Sequence, residues 1–361
     1  MTSTLLDRLQ DADPARGRAD HDDARLRAAA REVLREARAG APASRPPRVV
    51  ARRLAALAPV AAVAAALLVV APALTGDRGA SAEAAALLDE AATHVTSTDP
   101  VAGPGDWWEV RTTGFTTGTL DLPSGRVTVR TSRDDTAYLA VDGSRPSVVV
   151  DGPTHLVRQL AGPPVTAEDL AGWQRAERRV LTSDLAPRDT PGGWGAASPG
   201  FLAALPREAA ALRGRLYAHV DAAGGGGSRD GRAFALVAST LRTGVVPADL
   251  RAALYRVLAT VPGVEVTDRD ARVGPGSGVA FGRLESTDGR RSELVVVPST
   301  GELLGEREVT TRGFDGVPAG TVTGETRVVR SVVDHVPGDV VAEAEVWRCR
   351  VTDDGVTACS P

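Results

Sequence analysis

The chain has 361 residues, with 42 basic residues, all of them arginine, against 46 acidic ones, for a net charge of −4. That charge is unevenly placed: residues 1–53 carry net +4 and the remainder net −8. The acidic remainder argues against nucleic acid as a partner, and the length is ample for a sizeable core, as one large domain or two coupled ones.

The polar start, with Asp11, Asp13, Asp20, Asp22 and Asp23, reads as loosely ordered. From Ala24, the run ARLRAAAREVLREARA places Leu26, Ala30, Val33, Leu34 and Ala37 on one helical stripe, with Arg25, Arg31, Arg35 and Arg38 over much of the rest. An isolated helix of this length is marginal in water, so it should rest on lipid headgroups or on a cytoplasmic partner. Gly40, Pro42, Pro46 and Pro47 end it.

Leu54–Leu74 follows, 21 consecutive residues without a charge, an amide or a hydroxyl. As a helix it would be about 31 Å long, the thickness of a bilayer hydrocarbon core. A buried core helix would show a polar face, and this segment has none. Ala71-Pro72-Ala73 imitates a signal-peptide cleavage site, but the 53 residues before the span far exceed a usual signal n-region. Arg45, Arg48, Arg52 and Arg53 precede the span, whereas Asp77 and Arg78 beyond it cancel. The positive-inside rule then leaves the N-terminus in the cytoplasm. The expected organisation is a cytoplasmic arginine-rich head (1–53), a transmembrane helix (54–74) and an extracytoplasmic domain (75–361), a single-pass protein of the cell membrane.

Beyond the span, Ser81 caps a predicted helix, AEAAALLDEAATHV, burying Leu87, Leu88, Ala91 and Val95. Strand patterns begin at Trp107-Trp108-Glu109-Val110-Arg111-Thr112 and recur over Arg126–Thr131, Ala137–Val141, Ser147–Val150 and His155–Leu160. A helix is predicted from Thr166 through Leu181, then an irregular loop to Gly200 containing Trp194. Helical runs follow, including ADLRAALYRVLATVPG with Leu250, Leu254, Val257 and Leu258 on its apolar face. The four glycines Gly224–Gly227 read as a connector, because the Lys and Ser/Thr of a phosphate loop are missing. From Val264 the strands return. The fold class is α+β: a curved antiparallel sheet with helices gathered on one face.

Cys349 and Cys359 flank a turn signal, Asp353-Asp354-Gly355, in the last 13 residues. Outside the membrane a disulfide would staple a terminal hairpin; two free thiols are the alternative, and the placement favours the bridge.

The blocks PGFLAALPREAAALRGRLY, LRTGVVPADLRAALYRVLATVPGVEV, GRLESTDGRRSELVVVPSTGELLGEREV and PAGTVTGETRVVRSVVDHV together resemble an uncharacterised family of actinobacterial single-pass membrane proteins. Members are often encoded beside extracytoplasmic-function sigma factors. The resemblance covers Pro199–Val336, with a looser echo in the head, the span and WWEVRT, and the cysteine tail is an extension to it. It supplies no catalytic residues. It implies a regulatory or envelope-sensing role of the anti-sigma-factor kind, and an ectodomain like the lipoprotein-carrier half-barrel.

The sequence holds few groupings suited to chemistry. His21, His94, His155, His219 and His335 are scattered, with no two at metal-ligand spacing. Gly274-Pro275-Gly276-Ser277-Gly278 lacks the spacing of a nucleophile elbow. No catalytic residue, cofactor or metal is expected. The head has no His-Cys cluster, which excludes a zinc-containing anti-sigma domain. A sigma factor would have to be held by Leu26, Val33 and Leu34 with Arg31 and Arg35, as helix-in-groove recognition does. An envelope carrier for an apolar ligand is the alternative, with a cavity lined by residues such as Val148, Val150, Val295 and Val297. The extracytoplasmic ligand is unknown on either reading.

Overall fold

The structure, a computed structural model, describes residues 79–95, 100–171, 177–285, 289–352 and 357–361. The chain divides into two units at Pro72/Ala73, and every described residue belongs to the second, Ala73–Pro361. The predicted head helix, with Leu26, Arg31, Val33, Leu34 and Arg35, and the span Leu54–Leu74 lie outside the described residues. Among the described residues no helix is long and apolar enough to cross a membrane.

Helix α1 (Ala82–His94) opens the body, and the Ser81 hydroxyl accepts from the Ala84 N–H at 3.2 Å, satisfying one of the free donors of the first turn. Strands β1 (Trp107–Leu122) and β2 (Gly125–Ala140) form a hairpin of two 16-residue strands, paired from Trp107↔Ala140 to Leu122↔Gly125. Each would span about 54 Å at a strand's rise. Five threonines in β1 suit this, since β-branched side chains pack well on a pleated surface. The free side of β2 is shared by two short strands, β3 (Val148–Asp151) and β4 (His155–Ala161). Next come the short helix α2 (Ala167–Ala171), strand β5 (Arg179–Ser183), and helices α3 (Pro199–Ala204), α4 (Ala209–Ala223), α5 (Arg229–Arg242) and α6 (Ala248–Leu258). A meander of β6 (Val264–Val273), β7 (Gly276–Glu285), β8 (Arg290–Val297), β9 (Glu302–Thr310) and β10 (Val322–Val333) leads to α7 (Gly338–Glu343), β11 (Glu345–Val351) and β12 (Thr357–Ser360).

Among the described residues all twelve strands join one open sheet in the order β12-β11-β5-β3-β2-β1-β10-β9-β8-β7-β6, with β4 beside β2. Every pairing is antiparallel except β11 with β5. The fold is thus α+β on a mostly antiparallel sheet, open and uncurled rather than curved as expected, and with α7 on the face opposite the longer helices rather than all helices on one. Helices α1 and α3–α6 cover one face of its β6–β9 half. Their buried residues, among them Leu88, Leu212, Phe234, Leu254 and Tyr255, merge with Val264, Phe281, Leu294 and Val296 into the main core. On the opposite face Trp107, Tyr138, Ala140, Val148 and Val180 pack under Val340 of α7, and Ala271, Val273, Ala280 and Val295 form a third, smaller cluster.

The predicted helix from Thr166 to Leu181 is corrected at its C-terminal end: among the described residues of that stretch α2 is the helical part, and Arg179–Ser183 is a strand. It pairs with β3 on one side and β11 on the other, and Val180 is buried in the Trp107 cluster, so tertiary pairing overrides the local pattern. The runs Arg126–Thr131 and Ala137–Val141 are not separate strands either. Asp134-Asp135 between them reads as a turn pair, yet β2 runs straight through it, because Asp134 and Asp135 are register partners of Thr113 and Thr112 in β1, and the Asp135 carboxylate accepts from the Gly152 N–H.

Cys349 and Cys359 are register partners across β11 and β12 and are joined by a disulfide. The hairpin they close is largely exposed and meets the sheet through three pairs to β5 and a Cys349 N–H donated to Asp184. Cys349→Ser should therefore loosen this hairpin by about 2–3 kcal/mol in the chain-entropy model while the main core stays folded. Hydrogen exchange should show faster exchange in residues 345–360 alone; loss of protection across α4–α6 would contradict this.

Candidate functional site

Helix α5 is fastened to the sheet at both ends. Its N-cap, Ser228, receives the Gly231 N–H on its hydroxyl, which in turn donates to Glu285 of β7 at 2.9 Å. Beyond its C-terminus Gly244 adopts φ 73°, and a Cβ there would stand 2.9 Å from Val110 Cγ1 of β1 and 3.2 Å from Val328 Cγ1 of β10. Only glycine suits both the conformation and the close approach. From β7 to β1 is four strand spacings, about 19 Å. A helix of 14 residues is about 21 Å long. Helix α5 thus crosses the sheet from β7 to β1.

A cleft of about 580 Å³ lies alongside α5 over β8, β9, β10 and β1. Phe234, Leu236, Ala238, Ser239 and Arg242 form its helix wall, and Arg290, Ser292, Glu306, Glu308, Gly324 and Thr326 its floor. That volume is within the range of small-molecule sites.

Two carboxylates on the floor share one face of β9 but differ in their bonding. Glu308 Oε1 accepts from Arg290 Nη1 at 2.8 Å and from the Thr323 hydroxyl at 3.0 Å. Glu306 Oε2 accepts from Arg242 Nη1 at 2.8 Å, but its Oε1 is buried without a hydrogen-bond partner. The Glu306 side chain is 19% exposed and that of Arg242 44%. Burial raises the Glu306 pKa above the usual glutamate value, against the opposing pull of the Arg242 charge and hydrogen bond. An unsatisfied buried acceptor costs about 1–3 kcal/mol.

The other face of the sheet carries a carboxylate with the opposite accounting. Glu293 of β8 is 1% exposed. Its Oε1 accepts from Arg291 Nε and the Thr267 hydroxyl, each at 2.8 Å, and its Oε2 from Arg307 Nε and Nη2 at 2.9 and 2.7 Å. Arg307 Nη2 also reaches Asp268 at 3.1 Å. Burial pulls the Arg307 pKa down, but Glu293 and Asp268 outweigh it and raise the value. This saturated network is a brace, whereas Glu306 retains an acceptor to offer. The cleft beneath α5 is therefore the candidate site.

A second cleft, of about 530 Å³, lies beyond the C-terminus of α5 between Leu241, Val246, Leu303, Val328 and the guanidiniums of Arg251 and Arg330. Those cations already donate to backbone carbonyls, Arg251 to Val246 and Val95, and Arg330 to Gly244.

Neither cleft is lined by the expected valines. Val148 and Val150 pack with Trp107, and Val295 belongs to a separate cluster. Strands β3 and β8 are five strand spacings apart, about 24 Å, so these residues enclose no shared cavity. The disulfide lies on the outermost pair of strands, away from the clefts. None of the described histidines lines the α5 cleft, and no group of three His, Cys, Asp or Glu among the described residues could hold a metal. Sequence reasoning missed Glu306, Glu308, Arg242 and Arg290. The available signal was the two glutamates two positions apart in LLGEREVT, which puts charge on the face that neighbouring strands make apolar.

No family model matches the chain, and no curated protein matches it. Among solved structures, a crystal structure of MucB is similar at a TM-score of 0.22 and 12% identity, covering 74% of this chain and 67% of that one. The complex of MucA and MucB from Pseudomonas aeruginosa is similar at 0.23 and 12%, covering 74% and 66%. A likeness of that degree carries no functional argument.

The raised Glu306 pKa fixes the sign of a pH effect. The native state holds this proton more tightly than the unfolded chain, whose value is near 4.5. The contribution is fully present below that value and is lost as pH rises through the raised one. Glu306→Gln should flatten this fall in stability above pH 4.5. Denaturant titrations between acidic and neutral pH check it, and an unchanged pH slope would contradict it.

Proposed function

We propose that this chain is a membrane-tethered regulator of the anti-sigma-factor kind, with residues 1–53 in the cytoplasm, Leu54–Leu74 through the membrane, and the α+β body outside as its sensing half. The observation that carries this reading is the disulfide: the chain's two cysteines face each other across β11 and β12 and are bonded. Such a bond belongs to an oxidising compartment. The arginines before the span independently favour the same orientation, and the resemblance to single-pass proteins encoded beside sigma factors supports the regulatory half.

The head would hold its sigma factor through Leu26, Val33 and Leu34, with Arg31 and Arg35 adding salt-sensitive attraction. The body would act as a binding module without catalysis. The α5 cleft, whose floor holds ion-paired side chains and hydroxyls, is where it would bind. The apolar-carrier reading is the weaker one. A half-barrel carrier needs a cavity with an apolar lining, and the floor of this cleft is charged.

The test uses the full-length chain in membranes and the sigma factor encoded beside it. Wild type should retain that sigma factor; Leu34→Asp, which places a charge in the apolar stripe, should abolish retention, and Arg27→Gln should only weaken it. Protease added to intact cells should remove the body and spare the head. Retention unaffected by Leu34→Asp, together with a body protected from external protease, would sink the reading.

A further inference from the structure

The α5 cleft has a directional chemistry that the proposed function does not use. Its guanidiniums are engaged: Arg290 Nη1 is bonded to Glu308, and Arg242 Nη1 to Glu306. The acceptor side is not balanced in the same way, because Glu306 Oε1 has no partner. An incoming anion would meet guanidiniums already neutralised by Glu306 and Glu308, whereas an incoming donor completes a carboxylate. Arg242 is the more exposed partner, and its second contact, from Nη2 to the Ser239 hydroxyl, is long at 3.4 Å. It can swing toward solvent and leave Glu306 to a competitor. The hydroxyls of Ser239, Ser292 and Thr326 line the same space as further acceptors, and Phe234, Leu236 and Ala238 supply an apolar wall.

We propose that the cleft beneath α5 is a binding site for an organic cation, a protonated amine or guanidinium on an apolar body, and that Glu306 is the carboxylate that receives it. This deepens the sensing reading by naming the ligand class and rests on that reading only for its consequence in signalling. Arg242 then competes with the ligand for Glu306. The two residues should therefore respond to substitution in opposite directions, which a purely structural ion pair would not do.

The experiment is titration calorimetry on the full chain in detergent or nanodiscs, with n-hexylammonium as probe and n-hexanol and hexanoate as neutral and anionic controls. n-Hexylammonium should bind about tenfold more tightly than hexanol, the worth of one charge-assisted hydrogen bond, and hexanoate should bind no better than hexanol. Glu306→Gln should lose about that factor. Arg242→Met, which keeps the apolar stem and removes the competing charge, should bind the ammonium several-fold more tightly. Circular dichroism establishes that each variant is folded. Should Glu306→Gln not fold, the rise in affinity in Arg242→Met decides alone. Preference for hexanoate, an unchanged affinity in folded Glu306→Gln, or weakened binding in Arg242→Met would overturn the assignment. Ammonium binding with the expected variant pattern but no effect on sigma-dependent transcription would uphold the site and sink the sensing reading.

Discussion

Covering a twelve-stranded open sheet is the constraint on which the rest of this body depends. Its two faces are covered in different ways. One face of the β6–β9 half receives α1 and α3–α6, whose buried side chains form the main core with Phe281, Leu294 and Val296. The opposite face is closed near Trp107 by α7, and elsewhere by small residues such as Ala271 and Ala280 and by the Glu293–Arg307 network. Helix α5 lies where the helical layer gives out. Its length matches the distance from β7 to β1, and the helix wall of the cleft is its outer flank.

The two glutamates divide the energetics in the same way. Breaking a buried ion pair by removing one partner commonly costs about 3–5 kcal/mol, because the remaining charge is left uncompensated. Glu293 sits in such a position, with two donors on each oxygen. Its partners offset the desolvation cost of the charge that β6, β8 and β9 carry on a buried face. Glu306 holds one donor on one oxygen, and burial is the dominant influence on its titration. A site that retains an unmet acceptor beside an exposed cation is less stable than it could be, a condition common at binding sites and rare in braces.

Much of the helical layer was legible because its signals are local. Ser81 does cap α1, and Leu250, Leu254, Val257 and Leu258 are all buried on α6. Strands were legible where residues alternate and hidden where partners decide. Asp134-Asp135 looks like a turn pair until β1 and Gly152 are brought beside it. Arg179, Val180 and Leu181 look like the end of a helix until β3 and β11 enclose them. The cleft was hidden for the same reason. Glu306 and Arg242 are 64 residues apart, and nothing near either one announces the other. The cysteine pair was legible because a hairpin brings together residues only 10 apart.

The position of Arg242 links the cleft to the layer above it. It is the last residue of α5, followed at once by Thr243, Gly244 and the Val246-Pro247 step into α6. Arg251 of α6 donates to the Val246 carbonyl on that connector and to the Val95 carbonyl at the end of α1, and Tyr255 donates to the Gly301 carbonyl under both helices. Gly301 is itself wedged there, since a Cβ would stand 2.5 Å from the Ala91 carbonyl oxygen of α1. The N-terminal fastening of α5, Ser228 on Glu285, is independent of this chain of contacts. A cation that displaced Arg242 would therefore free that side chain, while Gly244 against Val110 and Val328 and Ser228 on Glu285 keep both ends of α5 on the sheet, a local change rather than a loss of the layer. Physical continuity does not by itself transmit a signal; that takes an element with two arrangements whose balance the ligand shifts. The Arg242–Glu306 clasp has the form of such an element, because its closed state is held by a single charge-assisted bond and its open state returns an exposed guanidinium to water.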